Sequence, residues 1–214
     1  MNFCTLKEAS TAEIVEKKSR FIANSCHIES KEEAEEKINL IKKKYYDAKH
    51  NCFAFSVVDK EGNVLEKSSD DGEPSGTAGA PILNVIRKNK LNNVLIVVTR
   101  YFGGILLGTG GLTRAYSNAA LASIENGKII EVENGLQASI EIEYSENEKF
   151  KYYCDKNNIK IVETEYSENI IQKIELNEEE YNKLISKNME INRQLPFKIK
   201  QIGIICRKFV EKAQ

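Results

Sequence analysis

Hydrophobic positions along this chain change spacing several times, and each change predicts a new element. Residues 13–17 and 20–23 carry β-branched and aromatic side chains in short extended runs, which predicts two strands. Ser30 followed by Glu33 has capping-box spacing. Behind it Ala34, Ile38, Ile41 and Tyr45 recur at helical intervals, so an amphipathic helix is expected over 31–45. Residues 51–58 are apolar and aromatic and read as a buried strand. A turn at 59–63 and a returning strand at 64–66 complete a hairpin. Pro81 suits the first turn of a helix over 81–88, with Ile82, Val85 and Ile86 as its inward stripe. The unbroken apolar run 94–98 fits a central strand covered on both faces. A helix over 112–125 follows, with Leu112, Ala115, Tyr116, Ala119 and Ala122 inward. The order is ββαββαβα.

Asn126-Gly127 closes that helix, and the first domain is expected to span 1–127. Residues 128–134 read as a connecting strand or linker, and 135–214 as a second domain. There 137–144 alternates as a strand. Ser145 and Glu148 have capping spacing for a helix holding Phe150, Tyr153 and Cys154. Strands at 159–165 and 169–176 come next, and Asn177 with Glu180 caps a helix carrying Tyr181, Leu184 and Ile185. A strand at 197–206 ends the pattern. This βαββαβ order is that of ferredoxin-like domains. The fold class is α+β, in two domains.

Composition narrows the function classes. A hydrophobic content of 41% and a charged content of 29% suit an ordinary globular protein, expected in the cytoplasm. Neither a signal peptide nor a bilayer-length apolar run is present, so no membrane partner is expected. Five scattered cysteines without a CxxC pair fit free thiols, and two histidines are too few for a zinc cluster. The net charge of −1 argues against a broadly basic nucleic-acid binder and leaves room for a local basic face. Lys42, Lys43 and Lys44 form either a solvated helix face or a contact to an acidic partner.

Most of the 12 glycines fall between Gly72 and Gly111, in two loops that flank the 94–98 strand. Glycine is concentrated where backbone must bend or approach closely. Known motifs fail here. GTGG at 108–111 lacks the rest of a dinucleotide fingerprint, and Gly127-Lys128-Ile129 does not end a P-loop. Ser75 has no nucleophile-elbow spacing, and His50 is read as structural. A helix N-terminus after 108–111 would offer unpaired N–H groups to an anion, with Arg100 and Arg114 as guanidinium forks. The candidate ligand site therefore comprises Asp70, Asp71, Glu73, Ser75, Arg100, Tyr101, Gly103, Gly104, Gly108, Thr109, Gly110, Gly111 and Arg114. Against it stands a structural reading, in which Arg100 pairs with Asp70, Asp71 or Glu73. Ser69, Ser75 and Thr77 are candidate caps for the helix near Pro81. No catalytic residue, metal or cofactor is assigned.

SDDGEPSGTAGAPIL (69–83) and RYFGGILLGTGGLTRAY (100–116) resemble the signature of the IMPACT family, in its bacterial YigZ-like branch. Arg100, Tyr101, Gly103, Gly104, Gly108, Gly110 and Gly111 stand where the family pattern has them. The resemblance implies a first domain like domain IV of elongation factor G and a ferredoxin-like second domain like its domain V. It also implies a link to translation, because eukaryotic relatives act in translational control through a stress-activated kinase pathway. The favoured expectation is a binding protein that contacts RNA, the ribosome or a translation factor through the glycine-loop face. A small anion is a further candidate ligand. The alternatives are an enzyme for a phosphorylated or carboxylated small molecule, with Arg100 as clamp and Asp71 or Glu73 as base, and a scaffold with purely structural loops.

Overall fold

The computed structural model describes residues 2–59, 62–189 and 195–211. They form an α+β protein of two compact units, residues 3–131 and a second that takes in 132 onward. Lys60 and Glu61 of the expected turn lie outside the described residues.

The first unit holds β1 (Asn2–Leu6), β2 (Ser10–Glu16), β3 (Ser19–His27), α1 (Lys31–Lys44), β4 (His50–Val58), β5 (Val64–Ser69), α2 (Gly79–Lys88), β6 (Val94–Tyr101) and α3 (Gly108–Glu125). Strands β2-β3-β6-β4-β5 pair in that order, antiparallel throughout. The apolar run of β6 sits at the centre because both its faces are covered. Val94, Ile96 and Val98 pack with Ile82, Ile86, Ala115, Tyr116 and Ala119 of α2 and α3. Leu95 and Val97 pack on the opposite face with Ala34 and Ile38 of α1. β4 is buried along its length for the same reason, with Cys52 and Ala54 in one core and Phe53, Phe55 and Val57 in the other.

Three boundaries differ from the sequence expectation, each for a local reason. β1 has no alternating pattern, yet Phe3, Thr5 and Leu6 are buried, and Thr5 Oγ1 donates to the Asn93 carbonyl at 3.0 Å. β2 and β3 extend into polar sequence, because Ser10 Oγ lies 2.7 Å from Ser25 Oγ and donates to the Ser123 carbonyl at 2.6 Å. Hydroxyls satisfied in this way can occupy a covered strand face. α3 starts at Gly108, so GTGG is the helix's first turn rather than a loop before it.

The second unit contains β7 (Ile129–Ile142), α4 (Asn147–Lys156), β8 (Lys160–Tyr166), β9 (Ile170–Asn177), α5 (Glu178–Met189) and β10 (Ile199–Glu211). Residues 129–134, read as strand or linker, belong to β7, which carries the chain from one unit into the other. The order β10-β7-β9-β8 is the antiparallel ferredoxin-like sheet, with the last strand beside the first and the third between first and second. Leu136, Ala138, Ile140 and Ile142 of β7 face Phe150, Cys154 and Leu184 in its core. Asn177 and Glu180 form the expected capping box, Glu180 N–H donating to Asn177 Oδ1 at 2.8 Å and Asn177 N–H to Glu180 Oε2 at 3.2 Å. Ser145 does not cap α4. It lies in a 3-10 turn over Tyr144–Glu146, and α4 begins without a side-chain cap. No helix among the described residues is long and apolar enough to cross a membrane.

Candidate functional site

Strand register gathers four connections at one end of the first sheet. Arg20 pairs with Tyr101, His50 with Arg100, and Phe53 with Ser69. That end therefore carries the β2–β3 turn, the α1–β4 loop, the acidic β5–α2 loop and the β6–α3 loop.

The acidic loop is held from within. Asp70 Oδ1 accepts from the N–H groups of Ala78 (2.9 Å) and Gly79 (2.8 Å), and Oδ2 from Gly76 N–H (2.8 Å). It thus satisfies the first turn of α2, a role expected of Ser69, Ser75 or Thr77. Ser69 Oγ instead accepts from Asp71 N–H, Thr77 Oγ1 donates to the Pro74 carbonyl, and Ser75 is exposed. Burial pushes the Asp70 carboxyl up, but the donors at Gly76, Gly79 and Ala78 outweigh it and hold it below its ordinary value. Asp71, at φ +44°, receives Lys42 Nζ on Oδ1 and Asn51 N–H on Oδ2, both at 2.8 Å. His50 Nδ1–H donates to the Asp71 carbonyl at 2.9 Å.

Glu73 turns inward. Arg100 Nη1 donates to its Oε1 at 2.6 Å and Tyr116 Oη at 2.9 Å. Both side chains are buried, at 7% exposure for Arg100 and 3% for Glu73. The Arg100 guanidinium lies over the rings of Phe21 (5.5 Å) and Phe102 (5.6 Å), and its Nε has no hydrogen-bond partner. Beside Tyr116, the Cys52 thiol is 3.3 Å from the phenol oxygen and 2.9 Å from the Asp70 carbonyl. Burial pushes the Cys52 thiol up to about 12 and also raises the Tyr116 phenol, so both remain protonated donors. Cys52, Tyr116 and Phe21 escaped the sequence reading as site residues, because helical and strand spacing marks them only as core.

The structure therefore joins the two glycine loops through Arg100, which bonds Glu73 in the first and stacks on Phe102 in the second. Arg100 is not an open clamp, since its charge is met by Glu73. Arg114 is exposed on α3, as are Gly108, Thr109 and Gly110, while Gly111 is half-buried. Leu107 at the N-cap offers no side-chain hydrogen bond, so the helix start is uncapped. Gly104 and Gly108 have φ of +83° and +71°. Gly103 is needed for contact, because a Cβ there would lie 2.0 Å from the Lys18 carbonyl carbon. Its N–H donates to Ser19 Oγ at 3.1 Å. Tyr101 Oη donates to Asp47 Oδ1 at 2.7 Å, and that bond, with burial and the Asp47 charge, pushes the phenol up to about 12.

The same end exposes apolar side chains. Phe102 is 55%, Ile105 42% and Leu106 83% exposed, and Tyr46 stands out on the α1–β4 loop. Lys17 and Lys18 of the β2–β3 turn, Lys43 in the last turn of α1, Lys49 of the α1–β4 loop and Arg114 in the second turn of α3 are also exposed. Among the described residues no group of three or more His, Cys, Asp or Glu side chains is arranged to hold a metal ion.

Fold and site together define a two-domain α+β protein whose first unit presents a glycine-built loop face stiffened by a buried Arg–Glu pair. The chain belongs to the IMPACT family. Residues 17–124 match the Impact N-terminal domain, and residues 140–187 match the Domain of unknown function (DUF1949). The IMPACT family member YvyE of Bacillus subtilis is 40% identical across 72% of this chain and 81% of that protein. The family member YigZ of Escherichia coli is 42% identical across 47% of this chain and 49% of its own. The crystal structure of a hypothetical protein aligns with a TM-score of 0.64 over 100% of this chain and 98% of that one, and at 24% identity the likeness is one of fold.

Proposed function

We propose that the protein is a regulatory binding protein of translation that contacts RNA, on the ribosome or beside a translation factor, through the glycine-loop face. One observation carries this reading. At that end of the sheet four acids and the cations Lys42, Arg100 and Arg20 are already engaged, whereas five further cations are not, and Glu16 of the β2–β3 turn is exposed beside two of them. Asp70 holds backbone donors, Asp71 holds Lys42, Glu73 holds Arg100, and Asp47 holds Tyr101. Lys17, Lys18, Lys43, Lys49 and Arg114 have no ion pair among the described residues. A near-neutral chain thus carries unpaired positive charge on the loops and helix ends at the same end of the sheet as exposed Phe102, Ile105 and Leu106, where phosphates would be attracted and their counterions released. The uncapped start of α3 adds N–H donors of the same sense. Family membership supports the translational setting.

The enzyme alternative draws no support from this geometry. Its clamp and one of its bases, Arg100 and Glu73, neutralise each other, and Asp71 is bonded on both oxygens.

Co-sedimentation with purified ribosomal subunits and with naked ribosomal RNA, at low and high salt, tests the proposal. Association should fall steeply with salt and weaken in a Lys17→Gln, Lys18→Gln, Arg114→Gln variant. Absence of salt-sensitive association with every RNA and ribosomal fraction would overturn it.

A further inference from the structure

We infer that the glycine-loop face selects single-stranded RNA, with Phe102 stacking on an unpaired base and the Lys17–Lys18 turn holding neighbouring phosphates. This rests on the RNA-contacting reading above and goes beyond it by naming the form of the RNA and the residues that choose it.

Phe102 is built as a platform. The Arg100 guanidinium lies 5.6 Å from its ring centroid, and Arg100 is itself held by its ion pair with Glu73 and its contact with the Phe21 ring. The ring is therefore backed by a rigid planar cation while the residue stays 55% exposed. An aromatic face held in this way accepts any base, because every base has a π-face. Bases inside a duplex are stacked on one another and offer no such face, so the platform is of use only to unpaired nucleotides.

The phosphate contacts stand next to it. Glu16 pairs with Ser19, leaving Lys17 and Lys18 as a two-residue turn at φ +44° and +65°. Turns of this kind favour Asn-Gly, and lysine takes the left-handed region reluctantly. The chain nonetheless keeps two cations there. Gly103 fixes this turn against the loop that carries Phe102, through contact with the Lys18–Ser19 backbone. An exposed ring and two exposed lysines thus stand on adjoining backbone segments, the combination that single-strand binding surfaces use. Ile105 and Leu106 would also suit an apolar groove on a protein, and the test separates that outcome.

The test is fluorescence anisotropy on the full chain with a labelled oligouridylate of ~12 nucleotides and an RNA duplex of equal length, over a range of salt. The single strand should bind more tightly than the duplex. Phe102→Ala should weaken single-strand binding about tenfold or more, with recovery in Phe102→Trp. Recovery also shows that the alanine effect is not misfolding. Lys17→Gln with Lys18→Gln should lower the slope of log affinity against log salt by about 1.4. Equal binding of strand and duplex, or an unchanged Phe102→Ala, overturns this inference and leaves the RNA-contacting reading in place. Failure to bind either RNA, with retained ribosome association that Leu106→Asp abolishes, overturns both in favour of a protein partner.

Discussion

Asp70 shows how one residue type can carry several readings until its neighbours are known. An acid in a glycine-rich loop can be solvated, bind a cation or cap a helix, and sequence spacing does not choose. Geometry chooses the cap, with three backbone donors on two oxygens. Asp70→Ala should lower stability at neutral pH by about 1–2 kcal/mol, measured by urea unfolding. The pH dependence follows from the direction of the shift. The folded carboxyl titrates below its ordinary value. Its contribution is therefore fully present above the unfolded value of about 4, and is lost as pH falls through the lower folded value. The gap between wild type and Asp70→Ala should shrink as urea melts are repeated at falling pH below about 4, and a gap that widened there would refute the assignment. Arg100 and Glu73 present the opposite case, a charge pair withdrawn from water. Glu73→Ala should cost about 3–5 kcal/mol, because it strands a buried guanidinium. Arg100→Met combined with Glu73→Leu should recover most of that stability, whereas either change alone should not. The sequence contained both residues and, in its structural reading, a pairing of Arg100 with Asp70, Asp71 or Glu73; it could not choose among the three acids, and the folded loop selects Glu73.

At the scale of elements, the two ends of the second glycine loop behave differently. Gly103 lies against the β2–β3 hairpin, and an added Cβ would meet the Lys18 carbonyl carbon at 2.0 Å and its oxygen at 2.1 Å. Both sides of that contact are backbone, so relief requires moving a strand. Gly103→Ala should therefore destabilise by about 1–3 kcal/mol or more and loosen the turn that presents Lys17 and Lys18. Gly110 has open space around it and sits in the first turn of α3. Gly110→Ala should hold stability constant or raise it by up to about 1 kcal/mol, since alanine is the better helix former. Thermal melts of the two variants distinguish a glycine kept for packing from one that packing leaves free. The sequence marks both equally. The same ambiguity hid the true start of α3, because Gly108, Thr109 and Gly110 bury nothing and leave no periodic trace. Helices with a buried stripe, such as α1 and α2, were legible from spacing alone, and so were strands with strict alternation such as β9. β1 was not, because its register depends on the Asn92 N–H that donates to the Cys4 carbonyl and on other residues far along the chain.

For the whole molecule, the decisive fact is that each unit closes a core of its own. The α2–α3 and α1 cores draw only on residues of the first unit, and the core around Phe150, Ile174 and Leu184 only on the second. This much was legible, since the βαββαβ order after residue 135 stands complete without the first half. Cores that share no residue should fail separately. Phe150 is fully buried and packs edge-on against Phe197 at 5.1 Å. Phe150→Ala removes that ring and should cost about 3–5 kcal/mol, a large share of what a unit of this size has to lose. Hydrogen exchange read by peptide should then show lost protection in β7, β9 and α5, with β3, β4 and β6 still protected. The reciprocal change, Phe55→Ala in the first unit, should reverse the pattern. The proposed RNA binding offers a second readout of the same division. If the glycine-loop face belongs to the first unit alone, Phe150→Ala should leave affinity for the single strand within about twofold at a temperature where the second unit has lost protection, while Phe55→Ala should abolish it. Loss of binding in both variants would mean that the second unit takes part in RNA contact, and would place part of the binding surface outside the four loops.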